Sequence, residues 1–464
     1  MVPFLCFDKM TGDISMKKIQ GILVACLIAV FAIPGGAVQA AQAAGQPLFV
    51  GAAVRDITPK QEWLPLFGTA RTKLVGIIDP IHVRVVAVGN GATPALVVTF
   101  ESGGPPAPET FLTGLSKHTG VPVEAIYYGG THGHTSPNTA IDPKVPSTEL
   151  YNKFVYNQMI EAADQAIKSM RPASVGIGYS ASYINTNRQG IFTKPDGATY
   201  GAQGYNPTGP SDKTLSVIRF ADMQDKPIAF IVHYAVHNTV MYANKLNKDG
   251  TGISGDIAGA VSGALEARFP GAVANWLPGA SGDQNPIISN EYFTPSITTG
   301  EQEISYMSTA VVELLRFYGK VQFADVLTAL AKIKTVTSDA KVSYAFGTAT
   351  LPAYKSGEPD AGIQLKLLRI GDIALIGNPA ELFNSTGVYM RDHSLLKDTL
   401  VSNQNRSYNG QAAPYTSYMP DDYALIHDGW HTGNNKRYKV GTIDGGFTSL
   451  MNKLISSTNQ QIGP

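Results

Sequence analysis

Short runs rich in β-branched residues alternate along this chain with longer stretches of helical period, and that alternation leaves few architectures open. "HVRVVAVG" (82–89) and "ALVVTF" (95–100) read as strands, and "STELYNKFVYNQMIEAADQAIKSM" (147–170) as an amphipathic helix. "ASVGIGYSASY" (173–183), "LSVIRFAD" (215–222) and "PIAFIVHYAVH" (227–237) read as further strands. Helical spacing returns in "IAGAVSGALEARF" (257–269) and "QEISYMSTAVVELLRFYGKV" (302–321), and a last strand group lies in "IQLKLLRIGDIALIG" (363–377). Interleaving of this kind predicts an α/β fold, mixed β-sheets with flanking helices. "NRQGIFTKPDGATYGAQGYNPTGPSDK" (187–213) and "NRSYNGQAAPYTSYMPDDY" (405–423) lack periodicity and read as long surface loops on a single large domain.

Residues 1–40 are set apart as a leader. Met16, Lys17 and Lys18 open a basic segment, the apolar run "GILVACLIAVFAI" follows, and "GGAVQA" ends it on small residues. This is the pattern of a secretory signal with cleavage after Ala40, translation starting at Met16. The run is shorter than the roughly 20 apolar residues that a spanning helix needs. It also continues past Cys26, which disfavours an acylated cysteine as anchor. The expected location is periplasmic or secreted, and the exported protein should begin near Ala41. Intact-mass measurement finding residues 1–40 retained on exported protein would refute this.

Both cysteines, Cys6 and Cys26, fall in the leader, so residues 41–464 contain none and any metal there must be held by His, Asp, Glu or Tyr. Removing three Lys and two Asp from 36 basic and 36 acidic residues leaves 33 and 34. With that balance no basic stripe argues for a nucleic-acid partner, and no later run is long enough for a transmembrane segment.

Chemistry is concentrated at strand ends. "YYGGTHGHTSPN" (127–138) follows the apolar run "VEAIYY", and a period-two pair there, His132 and His134, points both imidazoles to one side. His237 in "HYAVHNTVM" stands at another strand end and is a third candidate ligand. Glu381 in "GNPAELF" follows a strand and a turn; taken alone, it reads as a charge at a helix N-terminus. Tyr415, Tyr418 and Tyr423 crowd one loop, where tyrosines ordinarily just pack. His82 and His233 read as packed strand histidines, Asp256 and Asp283 of the two "SGD" triplets as turn or cap residues. Sequence assigns no position to His427, Trp430 and His431.

Taken in order, "VGAAVRDITP", "IHVRVVAV", "GTHGHTSPN", "NTNR", "AVHNTVM", "ISGDIAG", "GASGDQNP", "NPAELF" and "YTSYMPDDY" resemble the neutral, non-lysosomal ceramidases, zinc amidases that split the N-acyl bond of ceramide. The likeness implies that residues 41–464 form a catalytic domain with its metal site at strand ends and long loops. It implies Zn²⁺ held by His132, His237, Glu381 and Tyr418. His134 would take a proton from the attacking water, Arg188 would face the substrate carbonyl, and a tyrosine, Tyr423, would complete the oxyanion site. The implied substrate is a small-molecule or lipid-like N-acyl amide. Two departures stand out: Asn285 occupies the place of a family serine, which favours metal-activated water over a serine nucleophile, and the family's β-rich C-terminal domain does not follow the tyrosine loop. Two other functions remain open, an ester or lactone hydrolase on the same zinc site and a non-catalytic zinc- or ligand-binding relative.

Overall fold

In the computed structural model, which describes residues 46–462 apart from 92, 409, 411–416 and 434, strand Ala95–Phe100 is buried throughout and His82–Gly89 everywhere except its first residue. Continuous apolar runs do this when both faces of a sheet are covered. The leader, with its two cysteines, and Tyr415 lie outside the described residues.

These strands belong to an eight-stranded sheet in the order Val273–Pro278, Pro227–Tyr234, Thr214–Asp222, Arg171–Ala181, Phe49–Asp56, His82–Gly89, Ala95–Phe100, Ile126–Gly130. The two outermost pairs are parallel, with Ala229 opposite Val273 and Leu96 opposite Ile126. Each parallel pair therefore brings two carboxyl ends to the same side.

Helix Ser147–Lys168 packs on Phe49–Asp56 and His82–Gly89, while Val311–Ala331 packs on Arg171–Ala181 and Thr214–Asp222. Both contacts are close enough to need glycine: a Cβ at Gly51 would lie 2.1 Å from Ala166 O, and one at Gly178 would lie 2.1 Å from Ala329 O.

A second, four-stranded sheet runs Val342–Leu351, Ala361–Ile370, Ile373–Gly377, Asp398–Ser402, and helix Ile443–Ile462 packs on its first two strands. Alternation along "LKLLRI" divides its side chains. Leu365 and Leu367 join Phe447, Met451 and Ile455, whereas Leu368 and Ile370 join the core of the larger sheet.

The α/β architecture of mixed sheets with flanking helices is as expected, but two local readings need correction. Residues 302–306 form a strand paired with Glu291–Pro295, and the helix begins only at Val311. Helical spacing across the boundary hid it, because β-branched and aromatic residues in "EISY" suit either state. Nor is 187–213 an unstructured loop. Strands Asn185–Thr193 and Thr199–Asn206 pair antiparallel across it, their polar sequence masking the period.

Lys366 is the odd residue of the second sheet, fully buried with its Nζ donating to Val123 O (2.9 Å) and Ile126 O (2.6 Å). Burial lowers its pKa from the ordinary lysine value to about 7. The unfolded chain thus binds more protons between about pH 7 and 10, and stability rises with pH there. Wild-type unfolding free energy should gain up to about 1.4 kcal/mol per pH unit over Lys366→Met between pH 7 and 9. Denaturant titrations giving parallel pH profiles for the two proteins would show that the amine is not shifted.

Candidate metal centre

Strand Ile126–Gly130 ends in two glycines, and the turn after it is stitched to its neighbour: Thr131 N donates to Phe100 O (2.8 Å) and Gly133 N to Ser102 O (3.0 Å). His132 is held at φ 65°, in the left-handed region. A residue bearing a β-carbon stays there at a cost of about 1 kcal/mol or more, only when its surroundings fix it. Asn238 supplies part of that fixing through a bridge to Gly133 and through His134 N, which donates to Asn238 O (3.3 Å). The "THGH" turn is thereby tied to the residue following His237. His237 itself lies three residues past strand Pro227–Tyr234 rather than in it, its N donating to Gln284 O (3.0 Å).

Two short ladders complete the frame. Glu381–Leu382 pairs parallel with Tyr418–Met419, placing Glu381 opposite Tyr418. Gln284–Pro286 pairs antiparallel with Asn185–Thr193, placing "DQNP" beside "NTNR".

Within this frame the side chains converge. His132 Nδ1 lies 2.7 Å from Gly103 O and His237 Nδ1 lies 3.0 Å from Gln284 O. A carbonyl only accepts, so each Nδ1 carries a proton, and in the neutral ring each Nε2 is left as the acceptor. Both Nε2 atoms face one carboxylate oxygen, Glu381 Oε2, at 3.2 Å from His132 and 3.0 Å from His237. His134 Nε2 is 3.4 Å from His132 Nε2, and the ligating atoms of the three histidines lie within 4.8 Å of one another. This triplet could hold a metal ion.

Arg188, 4 % exposed, spans the group. Its Nη2 donates to Gly282 O (2.6 Å) and Tyr418 OH (3.1 Å) and lies 3.1 Å from His237 Nε2, and its Nη1 donates to Asn285 Oδ1 (2.9 Å).

Protonation states follow from this packing. Burial, with the Arg188 charge next, pushes His237 down to about 3. Burial and the two neighbouring imidazoles hold His134 well below the usual histidine range. For Glu381 burial acts upward, but His132 and His237 outweigh it and hold the carboxyl well below the usual carboxylate range. Burial raises the Tyr418 phenol against the pull of Arg188. At neutral pH the buried lone pairs of His237 and Glu381 therefore face one another, an arrangement that a cation relieves.

Tyr423 is placed differently. It is 52 % exposed, packs its ring on His427 at 4.5 Å, and lines a cavity with Tyr200 and Gln189; no hydrogen bond joins it to the cluster among the described residues. Two residues to which the sequence assigns no position lie beside the cluster. His431 stacks on Tyr418 at 4.0 Å, and the Trp430 ring lies 4.7 Å from Arg188 Cζ. Tyr242 sets its ring edgewise to His134 at 5.5 Å. Only the aromatic density of "DGWHTG" hinted at the first two.

Asp256 is the first residue of helix Asp256–Arg268, after the N-cap Gly255, and its carboxylate does not cap that helix but accepts from Met241 N (2.9 Å), Val240 N (3.3 Å) and Ile257 N (2.8 Å), tying the helix start to the segment after His237. Asp283 instead caps a remote helix, accepting from Asn384 N (2.8 Å) while Asn187 Nδ2 donates to its other oxygen (2.7 Å). His82 lies beside Glu101, and His233 Nε2 is 2.9 Å from Val401 O, so both are packed strand residues.

No protein-family model matches the chain, and no curated protein matches it in sequence. Solved structures do resemble it. Neutral ceramidase from Pseudomonas aeruginosa superposes with a TM-score of 0.66 at 16% identity, over 90% of this chain and 75% of that one. A ceramidase complexed with C2 gives 0.66 at 15% identity, over 90% and 76%. The fold is thus ceramidase-like.

Proposed function

We propose that this protein is a zinc-dependent hydrolase that cleaves an N-acyl amide bond, its metal held by His132, His237, Glu381 and Tyr418. The observation that carries the reading is the convergence of two Nε2 lone pairs and one carboxylate oxygen at 3.0–3.2 Å, with both Nδ1 atoms committed to backbone carbonyls. Tetrahedral zinc with bonds of about 2.0–2.1 Å sets its ligand atoms about 3.3 Å apart, so the spacing suits that ion, and carbonyl partners on the second ring nitrogen are the usual support of ligating histidines. The ceramidase-like fold adds to the reading.

When bound, zinc polarises a carbonyl and lowers the pKa of water toward about 7. The chain's own groups do the rest. His134, held neutral beside His132, is in the form that accepts a proton from the attacking water, and it then returns the proton to the leaving amine. Arg188, anchored by Gly282 O and Asn285, directs a guanidinium at the oxygen on which negative charge develops. Trp430 and His431 cover Arg188 and Tyr418, which keeps water from the guanidinium and the phenol. Asn285 accepts from Arg188 and carries no nucleophile, in keeping with attack by water.

The test is turnover by the zinc-loaded protein across ceramide, short N-acyl amines and matched esters. Release of fatty acid from amides, lost on metal removal, is the expected result. Turnover of esters alone would move the assignment to an esterase or lactonase. Tyr423, exposed and away from the cluster, serves as a comparison: Tyr423→Phe should lower turnover far less than Arg188→Met if Arg188 carries the oxyanion.

A further inference from the structure

A cavity of about 300 Å³ borders the two segments that position the histidines without including any histidine. Its wall contains 102–104, where Gly103 O accepts from His132, and 136–140, which follow His134. Pro105, Pro106, Pro137 and Ala140 give it apolar surface beside the polar Thr69, Ser136 and Asn138, the fully buried Ile57, Phe100, Tyr151 and Val155 underlie that lining, and Arg406 is the cation among its described residues.

Arg406 is held by its backbone, N donating to Tyr128 O (2.9 Å), alongside the strand that leads to His132. Its guanidinium lies against Gly104, where an added Cβ would come 3.7 Å from Nη2. Among the described residues its buried Nε has no hydrogen-bond partner. Glu109, an exposed residue, acts on it only through its charge. A half-buried guanidinium without a paired carboxylate is incompletely compensated for its lost hydration, and an anion in the cavity would pair its charge at the outer Nη atoms.

We propose that this cavity binds the carboxylate of an amphipathic acid, Arg406 taking the head group and the lining of Pro105, Pro106, Pro137 and Ala140 the hydrocarbon chain. The planar fork of arginine matches a carboxylate in two parallel hydrogen bonds, which a neutral head group cannot reproduce. The apolar wall accounts for the chain, since each methylene it buries adds to affinity. The site is separate from the metal centre, and the proposal holds whatever bond the centre cleaves.

Calorimetric titration of the full protein with octanoate and with octanol tests it, using wild type, Arg406→Gln and Arg406→Lys whose Tm and zinc content have been compared. Octanoate should bind wild type at least about tenfold more tightly than octanol. Arg406→Gln should weaken octanoate by about tenfold or more and leave octanol unchanged, with Arg406→Lys in between. Equal affinities for the two probes would overturn the proposal. So would octanoate binding that survives Arg406→Gln but disappears in His237→Ala, because the carboxylate would then sit on the metal.

Discussion

Protein equilibrated with zinc and desalted should retain about one zinc ion per chain, and His237→Ala should retain almost none. His237 is wholly buried, its Nδ1 committed to Gln284 O and its Nε2 3.0 Å from Glu381 Oε2. Alanine leaves a void at that point and one fewer lone pair facing the ion. Arg188 cannot substitute, because a guanidinium only donates and this one already reaches Gly282 O and Tyr418 OH. Elemental analysis of the two proteins reads the effect directly. Thermal unfolding gives a second view, since a ligand that binds only the folded state raises Tm in wild type and not in a variant that cannot hold it. Unchanged zinc in His237→Ala would remove this histidine from the centre and move the metal elsewhere.

What could be read in advance depended on how local each signal was. Runs such as "ALVVTF" carry their own period and hydrophobicity, and the strand Ala95–Phe100 falls where they predict it. His132 and His134 were visible as a pair because two residues of separation in sequence already bring them near each other. Meeting His237 and Glu381 is a tertiary matter, set by a bridge from Gly133 to Asn238 and by the two-residue ladder of Glu381–Leu382 with Tyr418–Met419. No periodicity announces pairings so short. Resemblance to a known family supplied those partners where spacing could not, though sequence comparison finds no family model and the likeness established is one of fold. Trp430 and His431 are illegible for a further reason: they meet the cluster by packing their rings on Arg188 and Tyr418, and such packing leaves no pattern along the chain. Tyr423 shows the converse, for its place in a tyrosine-rich segment suggested a role in the site, yet it lies on the short helix Asp422–Ile426 with its ring on His427.

The two neighbouring histidines should fail in different ways when each is replaced by alanine. His132 has Nδ1 fixed by Gly103 O and Nε2 aimed at Glu381 Oε2, so His132→Ala should lose zinc, and turnover should disappear with it. His134 lies beside it, 3.4 Å from His132 Nε2 and edge-on to Tyr242, so its loss would remove a proton carrier and spare the His132, His237 and Glu381 contacts. His134→Ala should therefore keep its zinc and lose on the order of 10²–10⁴-fold in turnover. The loss should be larger for amides than for activated esters, since an amine departs poorly unless it is protonated and a phenolate departs unaided. Zinc content measured beside turnover for both substrates separates the roles. All three histidines lie close enough to share one ion, which makes the comparison decisive. Equal zinc loss in the two variants would make both imidazoles ligands, and near-normal amide turnover by zinc-loaded His134→Ala would assign the proton transfer to another group.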